Sequence, residues 1–154
     1  MGFQRRVWSV ERLAWIGLAL VVAAGLLGAF GRGGPLSDAE ATTPDGALRV
    51  RYDRVQRLLA STQFHVEAAS APAAGVVELR LGQDVLDGWE LQDMTPPPAA
   101  SRAEAGALVL GFPVAAAGAP VVLLSARPNR LGLIEGTISA GGGPPARLRV
   151  LVWP

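Results

Sequence analysis

Side chains that could do chemistry are scarce in this chain of 154 residues. It has no cysteine and a single histidine, His65. This excludes disulfides, thiolate zinc sites and a cysteine nucleophile, and one histidine cannot build the usual zinc or copper sites. No serine lies in the Gly-x-Ser-x-Gly pattern of a nucleophile elbow. The sequence therefore predicts no catalytic residue, no metal site and no cofactor.

Four acids recur at every third position in one stretch, as Asp84, Asp87, Glu90 and Asp93. Carboxylates grouped in this way could bind calcium or supply the acid pair of a glycoside hydrolase. The spacing matches no known calcium loop, and Glu90 and Asp93 would point to opposite faces of a strand. A cell-envelope hydrolase that uses these acids therefore remains an alternative and not the leading hypothesis.

Arginine supplies every basic charge, since all fourteen basic residues are Arg. Two pairs of arginines each share one face of a predicted strand, and together they would form a basic stripe if the strands were adjacent. Such a stripe could bind an anion or a lipid headgroup; otherwise the arginines form a solvated face. The predicted ligand or partner surface adds two aromatic residues to these four, and comprises Arg49, Arg51, Tyr52, Trp89, Arg147 and Arg149.

An apolar run over 13–30 organises the N-terminal part of the chain, with eighteen residues free of charge, amide or proline. As a helix it would be about 27 Å long, close to the roughly 30 Å hydrocarbon thickness of a bilayer. The run therefore predicts a transmembrane helix. A cleaved signal peptide is the alternative, because Ala39-Glu40-Ala41 has the form of a cleavage site, although it lies far beyond the run.

Basic and aromatic residues flank this apolar run. Residues 1–12 form a basic cytoplasmic or interfacial segment with three arginines, whereas Arg32 alone follows the run closely. Positive charge favours the cytoplasmic side, so we expect a single-pass protein of the plasma (inner) membrane with a cytoplasmic N-terminus and an extracytoplasmic domain. The residues expected at the membrane interface are Trp8, Trp15, Arg5, Arg6 and Arg12.

Small residues line one face of the predicted membrane helix. Gly17, Ala24 and Gly28 share this face, and small residues let membrane helices approach closely. The face therefore predicts helix packing, either with another membrane protein or between copies of this chain. The alternative is that glycine and alanine are simply common in this composition.

A domain of short strands is predicted after a Gly/Pro tether over 31–46. From residue 47 the apolar residues alternate with period two, and eight such segments separated by Gly/Pro turns run to residue 154. Residues 82–87 have the composition of a turn, and residues 99–106 that of a loop. The last two strands should form a hairpin, with the final strand inside a sheet. We predict an all-β domain over 47–154, an antiparallel immunoglobulin-like β-sandwich.

Several short motifs resemble those of uncharacterised bacterial single-pass membrane proteins. They are Glu11-Arg12-Leu13, Gly33-Gly34-Pro35-Leu36, Thr43-Pro44-Asp45-Gly46 and Leu48-Arg49-Val50-Arg51-Tyr52. The resemblance covers about residues 10–55 and carries no catalytic residues. It implies an anchored accessory protein beside a multi-pass membrane protein.

These observations favour a non-catalytic, membrane-anchored extracytoplasmic accessory protein that supports another envelope or membrane protein. Its expected partners are membrane lipid and that second protein. Residues 33–154 carry ten arginines against twelve acids, so nucleic acid is not an expected partner. A ligand-binding sensor or carrier module is the first alternative, and the envelope hydrolase is the second.

Overall fold

The computed structural model describes residues 2–26, 37–69, 75–113 and 120–154. Its first element is helix α1, Gly2–Leu26, which continues from the basic segment into the apolar run. Positions 27–30 of that run, which include Gly28, and Arg32 in the tether lie outside the described residues. The large apolar side chains of α1 between Leu13 and Leu26 are exposed, with Leu13 at 69% and Leu20 at 65%.

Over the part of the chain that is described, no helix is both long and apolar enough to cross a membrane.

Two β-sheets form the body of the described chain. The five-stranded sheet A has the order β1-β2-β4-β9-β6, and its strands are β1 (Asp38–Thr42), β2 (Leu48–Asp53), β4 (Thr62–Ala68), β9 (Val121–Pro128) and β6 (Trp89–Thr95). The six-stranded sheet B has the order β3-β11-β10-β5-β8-β7, and its strands are β3 (Val55–Arg57), β11 (Ala146–Trp153), β10 (Gly132–Ala140), β5 (Val76–Gly82), β8 (Ala107–Pro113) and β7 (Ala100–Glu104). The prediction of an all-β domain is therefore confirmed.

Strand pairing is antiparallel throughout the described sheets except where β3 pairs in parallel with β11. The predicted hairpin joins β10 to β11, with Thr137 opposite Arg147. Strand β11 lies between β3 and β10, so its predicted place inside a sheet is also confirmed. Its residues alternate between buried and exposed, because only one face of the sheet is covered by the other sheet.

The structure differs from the sequence expectation in three segments. Strand β1 lies within the predicted tether and pairs with β2, which moves the start of the sandwich to Asp38. The predicted turn over 82–87 is a short helix, α2, Gln83–Gly88. The predicted loop over 99–106 contains strand β7, an exposed edge strand whose polar pattern carries little strand signal.

The core lies between the sheets, where their inward side chains meet. Trp89 is its largest fully buried side chain, at 1% exposure. Its ring meets Phe64 edge-on with centroids 5.8 Å apart, and its Nε1–H donates to Gln56 Oε1 at 2.9 Å. The indole N–H is therefore satisfied although buried, as a dry core requires.

The two ends of the sandwich are distinct. At the tether end, where the chain arrives from α1, the backbone carbonyl of Ser37 accepts from the N–H of Arg54, and the carbonyl of Arg54 accepts from Leu151 N–H at 2.8 Å. Leu58 N–H donates to the carbonyl of Trp153 at the same end. The far end holds the turn over 43–47 and the hairpin loop over 141–145.

Candidate functional site

A groove of about 520 Å³ lies on the outer face of sheet A. It crosses strands β1, β2 and β4 at the tether end. Its walls are Asp38, Ala39, Glu40, Arg51, Tyr52, Asp53, Gln63 and His65. The strand register brings these residues together, because Glu40 lies opposite Arg51 and Arg51 lies opposite His65. Sequence reasoning singled out Arg51, Tyr52 and His65 but could not place them together.

Ion pairs engage the arginines of this face. Arg49 Nε lies 3.2 Å from Glu40 Oε1, and Arg51 Nε lies 3.6 Å from the other oxygen of Glu40. Arg51 also contacts Glu67, with Nη1 3.3 Å from Oε1. These side chains are about half exposed, so each pair contributes little to stability. The face is polar and internally paired, not a free cationic surface.

The basic stripe expected for adjacent strands does not form, because the arginine-bearing strands β2 and β11 lie in different sheets. Arg49 and Arg51 are on the outer face of sheet A, whereas Arg147 and Arg149 are on the outer face of sheet B. Arg149 is also paired, with its Nε 3.0 Å from Glu135 Oε1.

Trp89, one of the two aromatic residues of the predicted ligand or partner surface, lies in the core and is not part of any surface. Tyr52 is half-buried and bridges the sheets at their edge. Its hydroxyl accepts from the backbone N–H of Arg149 at 3.2 Å, and its ring lies 6.3 Å from that of Phe64. Both aromatic side chains thus have packing roles that their strand positions alone did not reveal.

The acids singled out in sequence are separated by the fold. Asp84 Oδ1 accepts from the Thr137 hydroxyl and from Val85 N–H, both at 2.9 Å. Asp87 accepts from Gln83 Nε2 at 2.8 Å. Glu90 and Asp93 lie on β6 instead of α2. Among the described residues, no three His, Cys, Asp or Glu side chains are grouped to hold a metal ion.

Sequence reasoning missed a network of charges on the outer face of sheet B. Arg102 reaches both oxygens of Glu78, at 2.9 and 3.2 Å, and its Nε lies 2.9 Å from Glu104. Arg80 contacts Glu104 as well. Hydrogen bonds to Glu78 and then Glu104 raise the pKa of Arg102, and the hydrogen bond from Arg102 lowers the pKa of Glu104.

This network forms only because β7 is a strand beside β8. The pairing places Arg102 opposite Val109, and Val109 lies opposite Arg80 of β5. The charged side chains lie beside Val109, which is only 4% exposed although β8 turns it toward the outer face. The alternation of Glu78 and Arg80 was visible in the sequence, but their partners were assigned to a loop.

The structure includes part of the predicted membrane interface on α1. The guanidinium carbon of Arg12 lies 4.3 Å from the ring centroid of Trp8, a cation–π contact on α1. Trp15 is exposed. The backbone of α1 includes Arg5 and Arg6, whose side chains lie outside the described part. Of the predicted packing face, Gly17 and Ala24 are on α1, and a side chain added at Gly17 would meet open space.

Comparison with known proteins gives few matches. No protein-family model matches the chain. No curated protein matches it. A solved structure with some likeness is the solution structure of CaCohA2 from Clostridium acetobutylicum, which is 9% identical and aligns over 64% of this chain and 86% of that chain with a TM-score of 0.42. A likeness of this size carries no argument about ligand, partner or activity.

Proposed function

We propose that this chain is a non-catalytic accessory protein, held at a membrane by residues 13–30 and presenting its sandwich outside the cytoplasm to another envelope or membrane protein. The immunoglobulin-like character of the sandwich is part of this proposal. So are a plasma-membrane location, contact with membrane lipid, and helix packing or self-association through Gly17, Ala24 and Gly28.

One observation carries the proposal. The described part of the apolar run is helical, and its large apolar side chains are exposed from Leu13 to Leu26. Contiguous apolar surface of this extent is unfavourable in water and marks a membrane or protein contact. In the sequence the run continues for four residues past Leu26, which brings it to the length of a membrane span.

The arrangement of the described polar residues supports a non-catalytic role. His65 lies in the groove with carboxylates and arginines that are engaged in ion pairs with each other. The acids that would serve a hydrolase are divided between α2 and β6. Trp89 of the predicted ligand or partner surface is buried, so a ligand-binding module would have to use the groove.

Membrane insertion and orientation are tested on the full chain with tags at both termini. We expect the protein to stay in carbonate-washed membranes, and protease added to cells stripped of any outer layer should digest only the C-terminal tag. The matched variants Leu20→Arg and Leu20→Ala sharpen the test, since arginine at the centre of a span costs about 2.5–3.5 kcal/mol and alanine far less. Release of the unmodified protein by carbonate would overturn the anchor.

The partner is tested by photo-crosslinking from two positions on α1. Ala24 lies on the predicted packing face, whereas Leu26 points to nearly the opposite side, at about 100° per residue. We expect a discrete adduct from Ala24 and none from Leu26. A protein that purifies alone as a monomer after gentle extraction and crosslinking would contradict the accessory role.

A further inference from the structure

The tether end of the sandwich concentrates exposed apolar side chains. Seven large hydrophobic residues of the described sandwich are exposed, and two of them, Val76 and Val121, belong to strand starts at the far end. The other five lie at the tether end, and are Leu59, Leu131, Leu133, Leu151 and Trp153. Leu133 lies directly opposite Leu151 on the outer face of sheet B, so part of this set is a continuous patch.

Arginines surround the same patch. Arg57 lies beside Trp153 in the β3–β11 pair, and Arg54 is bonded through its backbone to Leu151. Arg130 precedes Leu131 in the loop between β9 and β10. All three arginines are exposed. The acids at this end are Asp38, Glu40, Asp53, Asp87 and Glu90. The first three line the groove of sheet A, Asp87 accepts from Gln83, and exposed Glu90 lies opposite Arg127 on the β6–β9 pair.

Leu59 is an exposed apolar residue of the tether end with an unusual backbone conformation. Its backbone has φ = 58°, a left-handed conformation that non-glycine residues rarely adopt, and its side chain is 60% exposed. The backbone N–H of Leu59 donates to the carbonyl of Pro128 at 3.0 Å, which fixes the loop against the end of β9. The fold therefore exposes the Leu59 side chain to solvent, although an apolar side chain of this size is usually buried.

The tether end is also the end nearest to α1 along the chain. The run proposed to lie in the membrane ends at residue 30, so six residues, 31–36, separate it from Ser37. Six residues span at most about 22 Å, which is less than the length of a strand of the sandwich. The far end lies a further strand length away, about 26 Å for the eight residues of β11. If α1 is held in a bilayer, the arginine and leucine patch is the surface of the sandwich that is kept near the lipid headgroups.

We propose that the tether end, with Arg54, Arg57, Arg130 and the patch around Leu133, Leu151 and Trp153, docks on the surface of an anionic phospholipid bilayer. Exposed leucines and a tryptophan would enter the headgroup region while arginines contact lipid phosphates, the division of labour seen at membrane interfaces. This inference rests on the proposed membrane anchor and adds an orientation of the sandwich on the membrane.

The absence of cysteine allows the test to be made on the full chain with single labels. A fluorophore is attached at Asn129→Cys, at the tether end, or at Gly142→Cys, where a side chain meets open space at the far end. Each protein is reconstituted in vesicles of phosphatidylcholine alone or with phosphatidylglycerol, containing a headgroup-attached quencher. We expect strong quenching at position 129 with phosphatidylglycerol, less without it or in high salt, and little at position 142.

Charge and apolar contacts are separated by matched variants. Arg57→Gln with Arg130→Gln should lower the docked-to-free ratio by about 30-fold, since each arginine near an anionic surface contributes roughly fivefold. Arg102→Gln with Arg147→Gln removes the same charge from parts of sheet B away from the tether end and should change little. Leu133→Ser with Leu151→Ser should weaken docking even in phosphatidylglycerol.

The possible results separate this inference from the proposed function on which it rests. A protein that floats with the vesicles but shows equal quenching at both positions would overturn the docking and leave the anchor intact. A protein that does not float with vesicles of either composition would overturn the anchor, and the docking with it. Quenching at position 129 that disappears only in the tether-end variants would support both.

Discussion

The two ends of the sandwich differ in the kind of residues that cover the core where the strands end. At the tether end, long side chains provide the closure: Trp89 is buried against Phe64, and its indole N–H donates to Gln56. At the far end, short turns do so. The Thr43 hydroxyl accepts from Leu48 N–H at 3.0 Å and donates to Asp45, and Asp45 is the one charged residue in the turns over 43–47 and 141–145.

The far end is stabilised by hydrogen bonds between residues close in sequence, whereas the tether end is stabilised by contacts between residues distant in sequence. Asp45 and Thr43 are two residues apart, so the far-end turn is encoded within five positions of the sequence. Trp89 and Gln56 are 33 positions apart and meet only in the folded chain. Substitutions at the tether end should therefore have larger effects on global stability.

The largest expected effect is that of Trp89→Ala. Removing a fully buried indole from the core should lower the free energy of unfolding by about 3–5 kcal/mol. Trp153→Ala, at the same end but 37% exposed, is the matched control and should have a much smaller effect. Urea unfolding of the full chain in detergent, followed by circular dichroism, measures both. Equal losses would show that burial at this end does not determine stability.

The same substitution, glycine to alanine, compares the surroundings of Trp89 in the core with the far end. A side chain at Gly136 would lie 2.9 Å from Val85 Cγ2 and 3.1 Å from the ring of Trp89, so Gly136→Ala should destabilise by about 1–3 kcal/mol. At Gly142 nothing lies within 4 Å, and Gly142→Ala should be nearly neutral. The same unfolding assay applies. If Gly142→Ala proved the more costly, the comparison between the ends would be reversed.

A smaller loss is expected for Thr43→Val at the far end. The variant removes the acceptor of Leu48 N–H in a buried position and should cost about 1 kcal/mol. The Thr43 hydroxyl and the Ala47 N–H hold the pKa of Asp45 below its usual value, so the pKa should rise in the variant. Carboxylate titration by NMR measures this, with exposed Thr42→Val as the control. An unchanged Asp45 pKa would argue against the turn network.

The smallest effect concerns the exposed network between the two ends. Because the folded-state pKa of Glu104 is lowered by Arg102, its contribution to stability is present above the usual Glu pKa of about 4.3 and is lost as the pH falls through the folded-state value. Arg102→Gln should therefore be slightly less stable than the unmodified protein at neutral pH, with the difference shrinking in acid. Arg147→Gln should show no such pH dependence. A difference that persists in acid would point to packing instead of charge.

Much of the strand pattern could be predicted because it is local. The alternation of apolar and polar residues in β4, β5 and β11 follows from one covered sheet face, and it gave those strands and the final hairpin correctly. Alternation did not identify the strands in which neither face is strongly buried. Strands β1 and β7 are edge strands rich in small or charged residues, so their sequences look like a tether and a loop.

The candidate site was less predictable because its residues come from distant strands. Arg51, Tyr52 and His65 were singled out one by one, but only strand order and register place them on one groove. The same strand order separates the two arginine pairs and hides Trp89 in the core. The patch around Leu133, Leu151 and Trp153 carried no sequence signal, because each member occupies an ordinary strand or loop position.

The sequence by itself determined the apolar run, the lack of cysteine and the alternating strands, since composition and period depend only on neighbouring residues. The tertiary structure alone decided which strands pair, which aromatic residues are buried, and that arginines and leucines gather at the tether end of the sandwich. These properties depend on contacts between residues tens of positions apart. Such contacts form only when the two sheets close on one core.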